Sequence, residues 1–124
     1  MNKKSQLYLV LTKQWFTEIL EGRKTEEYRD FTDFYINRLW ELNEEGEIID
    51  TKKYDTVKFQ MGYSKNAPQM IVEIKDIIIE TDENVDLENG DLLTQENCNF
   101  TIVLGKILEK KYVWFHWRYS RICW

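Results

Sequence analysis

The stretch Ile19-Leu20-Glu21-Gly22-Arg23-Lys24-Thr25-Glu26-Glu27-Tyr28-Arg29-Asp30 joins a helix end, a glycine stop and a densely charged extended segment within twelve residues. Just before it, Trp15, Phe16, Ile19 and Leu20 recur at the spacing of one helix face. Thr12 stands where a cap is needed and Gly22 where the helix must end, so the spacing predicts a helix over Thr12 to Glu21. Beyond Gly22 an extended chain would put Thr25, Glu27 and Arg29 on one face and Lys24, Glu26 and Tyr28 on the other. A carboxylate and a guanidinium then stand side by side.

Working outward, Leu7 to Leu11 is a short apolar run bounded by polar residues, the pattern of a buried strand. After the charged stretch, Asp30 or Thr32 caps a second predicted helix with Ile36, Leu39, Trp40 and Asn43 on one face. Tyr35 and Leu42 widen that face and Gly46 closes the helix. The segment from Asn43 to Tyr54 is acidic and turn-like, and Thr56 to Met61 then alternates with Val57, Phe59 and Met61 inward. A loop follows at Gly62-Tyr63-Ser64-Lys65-Asn66-Ala67-Pro68, which holds the only proline in the chain. From Met70 to Glu80 the inward set is Met70, Val72 and Ile74, but beyond Lys75-Asp76 it becomes Ile77 and Ile79. A bulge at the phase slip, of the kind that bends strands round barrel corners, accounts for the change. Phe100 to Ile107 and Tyr112 to Tyr119 read as the last two strands, joined by a turn at Glu109-Lys110-Lys111.

A chain of 124 residues suits one domain with a core of its own. The net charge of −5 excludes binding of nucleic acid by sheer electrostatic excess. The charge is uneven, however: Glu80 to Glu96 holds seven acids and no Lys or Arg, whereas Lys110, Lys111, Arg118 and Arg121 leave room for a basic patch near the end. Two cysteines without Cys-x-x-Cys spacing and a single histidine argue against zinc, and the expectation is two reduced thiols, no metal and no cofactor. Asp82-Glu83-Asn84-Val85-Asp86 starts like a calcium loop, but Leu87 stands at the turn glycine and Leu93 at the closing acid, so a solvated loop or short helix is expected. No apolar segment is long enough to cross a membrane and no leader pattern is present, which predicts a cytoplasmic protein.

The residues Gly22-Arg23-Lys24-Thr25, followed by Glu27 and Arg29, resemble the signature of ASCH domains, small PUA-like β-barrels. Phe59-Gln60-Met61-Gly62-Tyr63 and Leu104-Gly105-Lys106-Ile107 resemble the layout of that family further along the chain. The resemblance implies an α+β fold, a PUA-like small barrel with two or three flanking helices, spanning residues 1–124 as a single domain.

On spacing alone, Lys24, Glu27 and Arg29 read as a surface ion-pair ladder, which is worth little. The resemblance instead implies that these residues and Thr25 line a cleft beside the barrel that binds RNA or a nucleotide or modified-nucleoside ligand. There Arg29 could grip a phosphate or a carbonyl edge, Glu27 could accept from an exocyclic amino group, and Lys24 could supply a charge or a base. Tyr63 after Gly62 could stack on a base, with Lys65 reaching from the same loop; the other reading is a β-turn with an exposed ring. In Trp114-Phe115-His116-Trp117-Arg118-Tyr119, alternation puts Trp114, His116 and Arg118 on one side, a surface suited to stacking and cation–π contact or to a protein partner.

An alternative implied by the resemblance is amidohydrolysis of acylated cytidine with a lysine, a threonine and a glutamate. Lys24 matches that lysine, but Glu27 occupies the place of the threonine, and neither Glu73 nor Glu80 can be assigned as the glutamate. A second alternative is a protein-interaction domain. The sequence leaves oligomeric state open.

Overall fold

The structure, a computed structural model, describes residues 5–112. It is α+β, with two helices, a mixed five-stranded sheet and a two-stranded sheet. The elements run β1 (Gln6–Leu11), α1 (Lys13–Leu20), β2 (Glu26–Asp30), α2 (Asp33–Leu39), β3 (Trp40–Leu42), β4 (Ile48–Thr51), β5 (Thr56–Met61), β6 (Gln69–Thr81) and β7 (Cys98–Lys111). In the larger sheet the order is β1-β5-β6-β7-β2, and β3 pairs with β4. The described residues divide into two compact units: 5–25, 54–75 and 104–112 belong to the first, Glu26–Lys53 and Asp76–Val103 to the second.

In the first unit β1 lies parallel to β5 and β5 antiparallel to β6. The register aligns Leu7 with Val57 and Val72, and Leu9 with Phe59 and Met70, all buried. Phe16 and Ile19 of α1 are buried as well, whereas Leu20 is half-buried and Trp15 exposed, so only part of the helix face read from the sequence is packed. The run Leu7 to Leu11 is half-buried rather than fully so, because alternate residues point to opposite faces of the sheet. Tyr8 is accordingly exposed, and Val10 only partly covered.

In the second unit β2 is antiparallel to β7, with Glu27 opposite Ile102 and Arg29 opposite Phe100. Its aromatic core is a triangle. Trp40 meets Phe31 edge-on at 5.6 Å and 86° and Phe100 at 5.6 Å and 88°, while Phe31 and Phe100 lie 5.3 Å apart. Such edge-to-face contacts add to the area these rings bury.

Three expectations are corrected here. The second helix starts at its predicted cap, Thr32, whose Oγ1 accepts from the Tyr35 N–H, but it ends at Leu39. Trp40 is extended (φ −122°, ψ 148°) and opens a hairpin in which Asn43 Oδ1 accepts from the Glu45 and Glu47 amides and Gly46 takes φ 82°. An asparagine and a left-handed glycine three residues apart are turn chemistry, and with the Trp40 ring in the core they outweigh the helical spacing of Trp40 and Asn43. The segment expected to be only turn-like therefore contains β4. At the far end, Glu109-Lys110-Lys111 is not a turn but the close of β7, and the left-handed residue is Tyr112 at φ 63°.

The phase slip in β6 is present: Met70 and Val72 are buried on one phase and Ile77 on the other, while Ile74 and Ile79 are partly covered. The 82–97 segment is a series of turns without a helix, and no group of three or more potential metal ligands occurs among the described residues. Cys98 is a free, buried thiol whose pKa is pushed up by that burial. Cys123 and the expected last strand beyond Tyr112 lie outside the described residues. No helix among the described residues is long and apolar enough to cross a membrane.

Candidate functional site

Gly22 takes φ 81°, a left-handed conformation that glycine adopts without steric cost, and ends α1. The amides of Arg23 and Lys24 both turn back to the Glu18 carbonyl at 3.0 Å, so the charged stretch leaves the helix in a fixed direction. Arg23 is spent on its own helix. Its Nε donates to Glu18 at 2.7 Å and its Nη1 to Glu21 at 2.5 Å, which hold its pKa above the ordinary value. Lys24 is half-buried, with Nζ 5.1 Å from the centroid of the Trp15 ring, a cation–π contact. The Thr25 side chain is exposed and its carbonyl accepts from the Leu104 amide at 2.9 Å.

The loop carrying Tyr63 and Lys65 belongs to the same unit. Gly62 at φ 70° and Asn66 at φ 59° supply its two sharp bends, and the Gly62 amide is tied to the Leu11 carbonyl at 3.0 Å. The Tyr63 ring is 86% exposed and Lys65 is exposed beside it, so both are presented to solvent from an anchored base.

Glu27 and Arg29 belong to the second unit. They share one face of β2 and form an ion pair through Arg29 Nη1 and Glu27 Oε2. The pair is covered: the side chains are 14% and 7% exposed. Arg29 Nε donates to the Tyr35 hydroxyl at 3.2 Å, and Nη1 also donates to the Tyr28 carbonyl at 2.8 Å. The guanidinium lies 5.8 Å from the Tyr35 ring, so α2 supplies both a hydrogen bond and an aromatic wall. This is a fixed cation, not a member of a solvated ladder. On the other face of β2, the Tyr28 hydroxyl donates to Glu26 at 3.0 Å, which raises its pKa together with partial burial and the charges of Glu80 and Glu27.

Two features escape sequence reading. Thr101, fully buried, donates its hydroxyl to Glu80 and accepts from Asn99 at 3.2 Å, a satisfied polar group inside the second unit. In the first unit the Glu73 carboxylate lies over Gly105, where a Cβ would sit 2.1 Å from Glu73 Oε1, and accepts from the Lys106 amide at 3.3 Å. Gly105 thus makes room for an acid on the neighbouring strand.

His116 and Arg118 lie outside the described residues. Comparison of the chain with protein-family models, with curated proteins and with solved structures returns no match.

Proposed function

We propose that this chain is an ASCH-type domain, a PUA-like small β-barrel flanked by α1 and α2, that binds RNA or a nucleotide or modified-nucleoside ligand in the cytoplasm. Recognition is assigned to Lys24, Thr25, Glu27 and Arg29, with Tyr63 and Lys65 as a stacking and charged loop. The observation that carries the reading is the fixing of Arg29 by Glu27, the Tyr28 carbonyl and the Tyr35 hydroxyl. A guanidinium oriented before the ligand arrives loses little freedom on binding, and its fixed positive charge suits a phosphate or a carbonyl edge. The mixed five-stranded sheet with two helices supports the α+β class of the proposal.

A thermal-shift panel of modified and unmodified nucleosides, nucleotides and short RNAs tests it. Ligand at a hundredfold its Kd stabilises the fold by about 2.7 kcal/mol, several degrees in midpoint. Arg29→Lys keeps a charge but loses the guanidinium that Tyr35, Glu27 and the Tyr28 carbonyl orient, so it should abolish the ligand-induced shift measured against the variant's own midpoint. A shift that survives Arg29→Lys overturns the assignment. Release of the acyl group from an acylated cytidine, lost in Lys24→Ala, would replace binding by hydrolysis, and silence across the whole panel would favour a protein partner.

A further inference from the structure

On the sheet of the first unit, the register sets Tyr8, Lys58 and Ile71 side by side on the face opposite the buried Leu9, Phe59 and Met70. A groove of about 510 Å³ opens there, lined by Lys58, Gln69, Met70, Ile71 and residues 109–111 at the end of β7. Three of its lining residues are lysines and one is an acid, in a chain whose net charge is −5. It shares no residue with the motif that starts at Gly22.

The lysines are not consumed by neighbouring carboxylates. Among the described residues no ion pair reaches Lys58 or Lys110, and Lys111 makes only a cation–π contact, 5.3 Å from the Tyr112 ring. Lys58 is half-buried, so its stem is covered by the sheet while its charged end remains available to a ligand. The Gln69 amide is fixed at the same place: its Nε2 donates to Gln60 Oε1 at 2.8 Å, and Gln60 Nε2 in turn donates to the Gly62 carbonyl at 2.8 Å. An amide nitrogen has two hydrogens, so a held Gln69 offers a second neutral donor into the groove. Compact ammonium groups without a preferred partner geometry suit phosphate oxygens, and the volume is that of a small-ligand site.

We infer that this groove binds a chain of two or more consecutive phosphates, through Lys58, Lys110 and Lys111 with Gln69 as a neutral donor. Such a chain comes either from a free polyphosphate, such as that of a nucleotide, or from the backbone of an RNA strand. The inference stands apart from the reading of the Lys24 to Arg29 motif, because the residues are different and the ligand needs no base.

Isothermal titration of the full chain with inorganic tripolyphosphate tests it, at several salt concentrations. Saturable binding is expected, weakened by about tenfold in Lys58→Gln and again in the Lys110→Gln, Lys111→Gln double variant. Each lost contact should also flatten the dependence of log K on log salt. Lys75→Gln, an exposed lysine of β6 outside the groove, should leave binding unchanged. These are substitutions at the surface end of flexible side chains, and unaltered thermal midpoints will show that the fold is retained. Displacement of bound tripolyphosphate by octauridylate assigns the RNA backbone as the source, and failure to displace it assigns a free polyphosphate. Absence of binding, or binding that Lys58→Gln and the double variant leave intact, overturns the inference.

Discussion

Arg23 and Arg29 sit six positions apart in one charged stretch, each paired with glutamate, yet they do opposite things. Arg23, with 55% of its side chain exposed, grips Glu18 and Glu21 of the helix it follows. Water can replace either partner at little cost, so the pairing decorates a helix end. Arg29 lies on a strand with Phe100 opposite, its charge covered together with that of Glu27 and its Nε committed to Tyr35. Here little water is at hand to replace a lost partner. The same pair of side chains is decoration in one setting and obligation in the other, and what decides is whether the backbone beneath it continues into a core.

The largest expected effect tests that distinction directly. Arg29→Ala removes the paired guanidinium from the buried Glu27 and should cost about 3–5 kcal/mol in urea unfolding. Replacing both members, Glu27→Leu with Arg29→Met, should recover most of the loss, since an apolar pair of similar volume needs no partner. If Arg29→Ala shifts the unfolding midpoint no more than Arg23→Ala does, the distinction is broken.

A second carboxylate sharpens it, because Glu73 is held by a backbone amide and a glycine instead of a cation. Gly105→Ala should drive Glu73 from its seat and cost about 1–2 kcal/mol, and the loss should shrink when Glu73→Ala is already present. Tyr35→Phe removes one hydrogen bond from Arg29 while keeping the ring beside it. About 1 kcal/mol should be lost, with the Glu27 contact intact.

The exposed pairs come last. Arg23→Ala should leave the thermal midpoint unchanged within error. Asp50, paired with Lys53 at 3.1 Å and accepting from the Thr51 amide at 2.7 Å, has a pKa below the usual carboxylate value, chiefly because of Lys53. A lowered pKa in the fold means that its contribution is present above the unfolded carboxyl pKa, near 3.9, and is lost as pH falls through the folded value. The stability difference between the wild type and Asp50→Asn should therefore be level at neutral pH and vanish in acid; a constant difference down to the lowest pH would remove Asp50 from the ledger.

Much of the first unit was legible because its signals are local. The apolar run Leu7 to Leu11 marks a strand, though not that only its alternate residues are buried, Phe16 and Ile19 mark a helix face, and Gly22 stops it, all within a short window. Trp40 was misread for the same reason: Ile36, Leu39, Trp40 and Asn43 fit a helix face, and only the turn chemistry of Asn43 and Gly46 separates a longer helix from a hairpin. The candidate site was legible in residue type and not in burial. Alternation put Glu27 and Arg29 on one face, but that the face is covered depends on Phe100 and Ile102, which pair with it from the far end of the chain. The seat of Glu73 over Gly105 and the lysine groove are likewise made by strands distant in sequence.

The parallel pairing of β1 with β5 has a consequence for how the chain is made. Gln6 lies opposite Thr56, and the helix, hairpin and strands between them must be synthesised before that register can close. Closing so long a loop is entropically demanding, and pairings of this kind slow folding relative to local ones. β1 therefore leaves the ribosome as an apolar strand with no sheet to join. For the time it takes to make some fifty residues, about 3–10 s at ordinary rates of synthesis, Leu7, Leu9 and Leu11 have only α1 to shelter against.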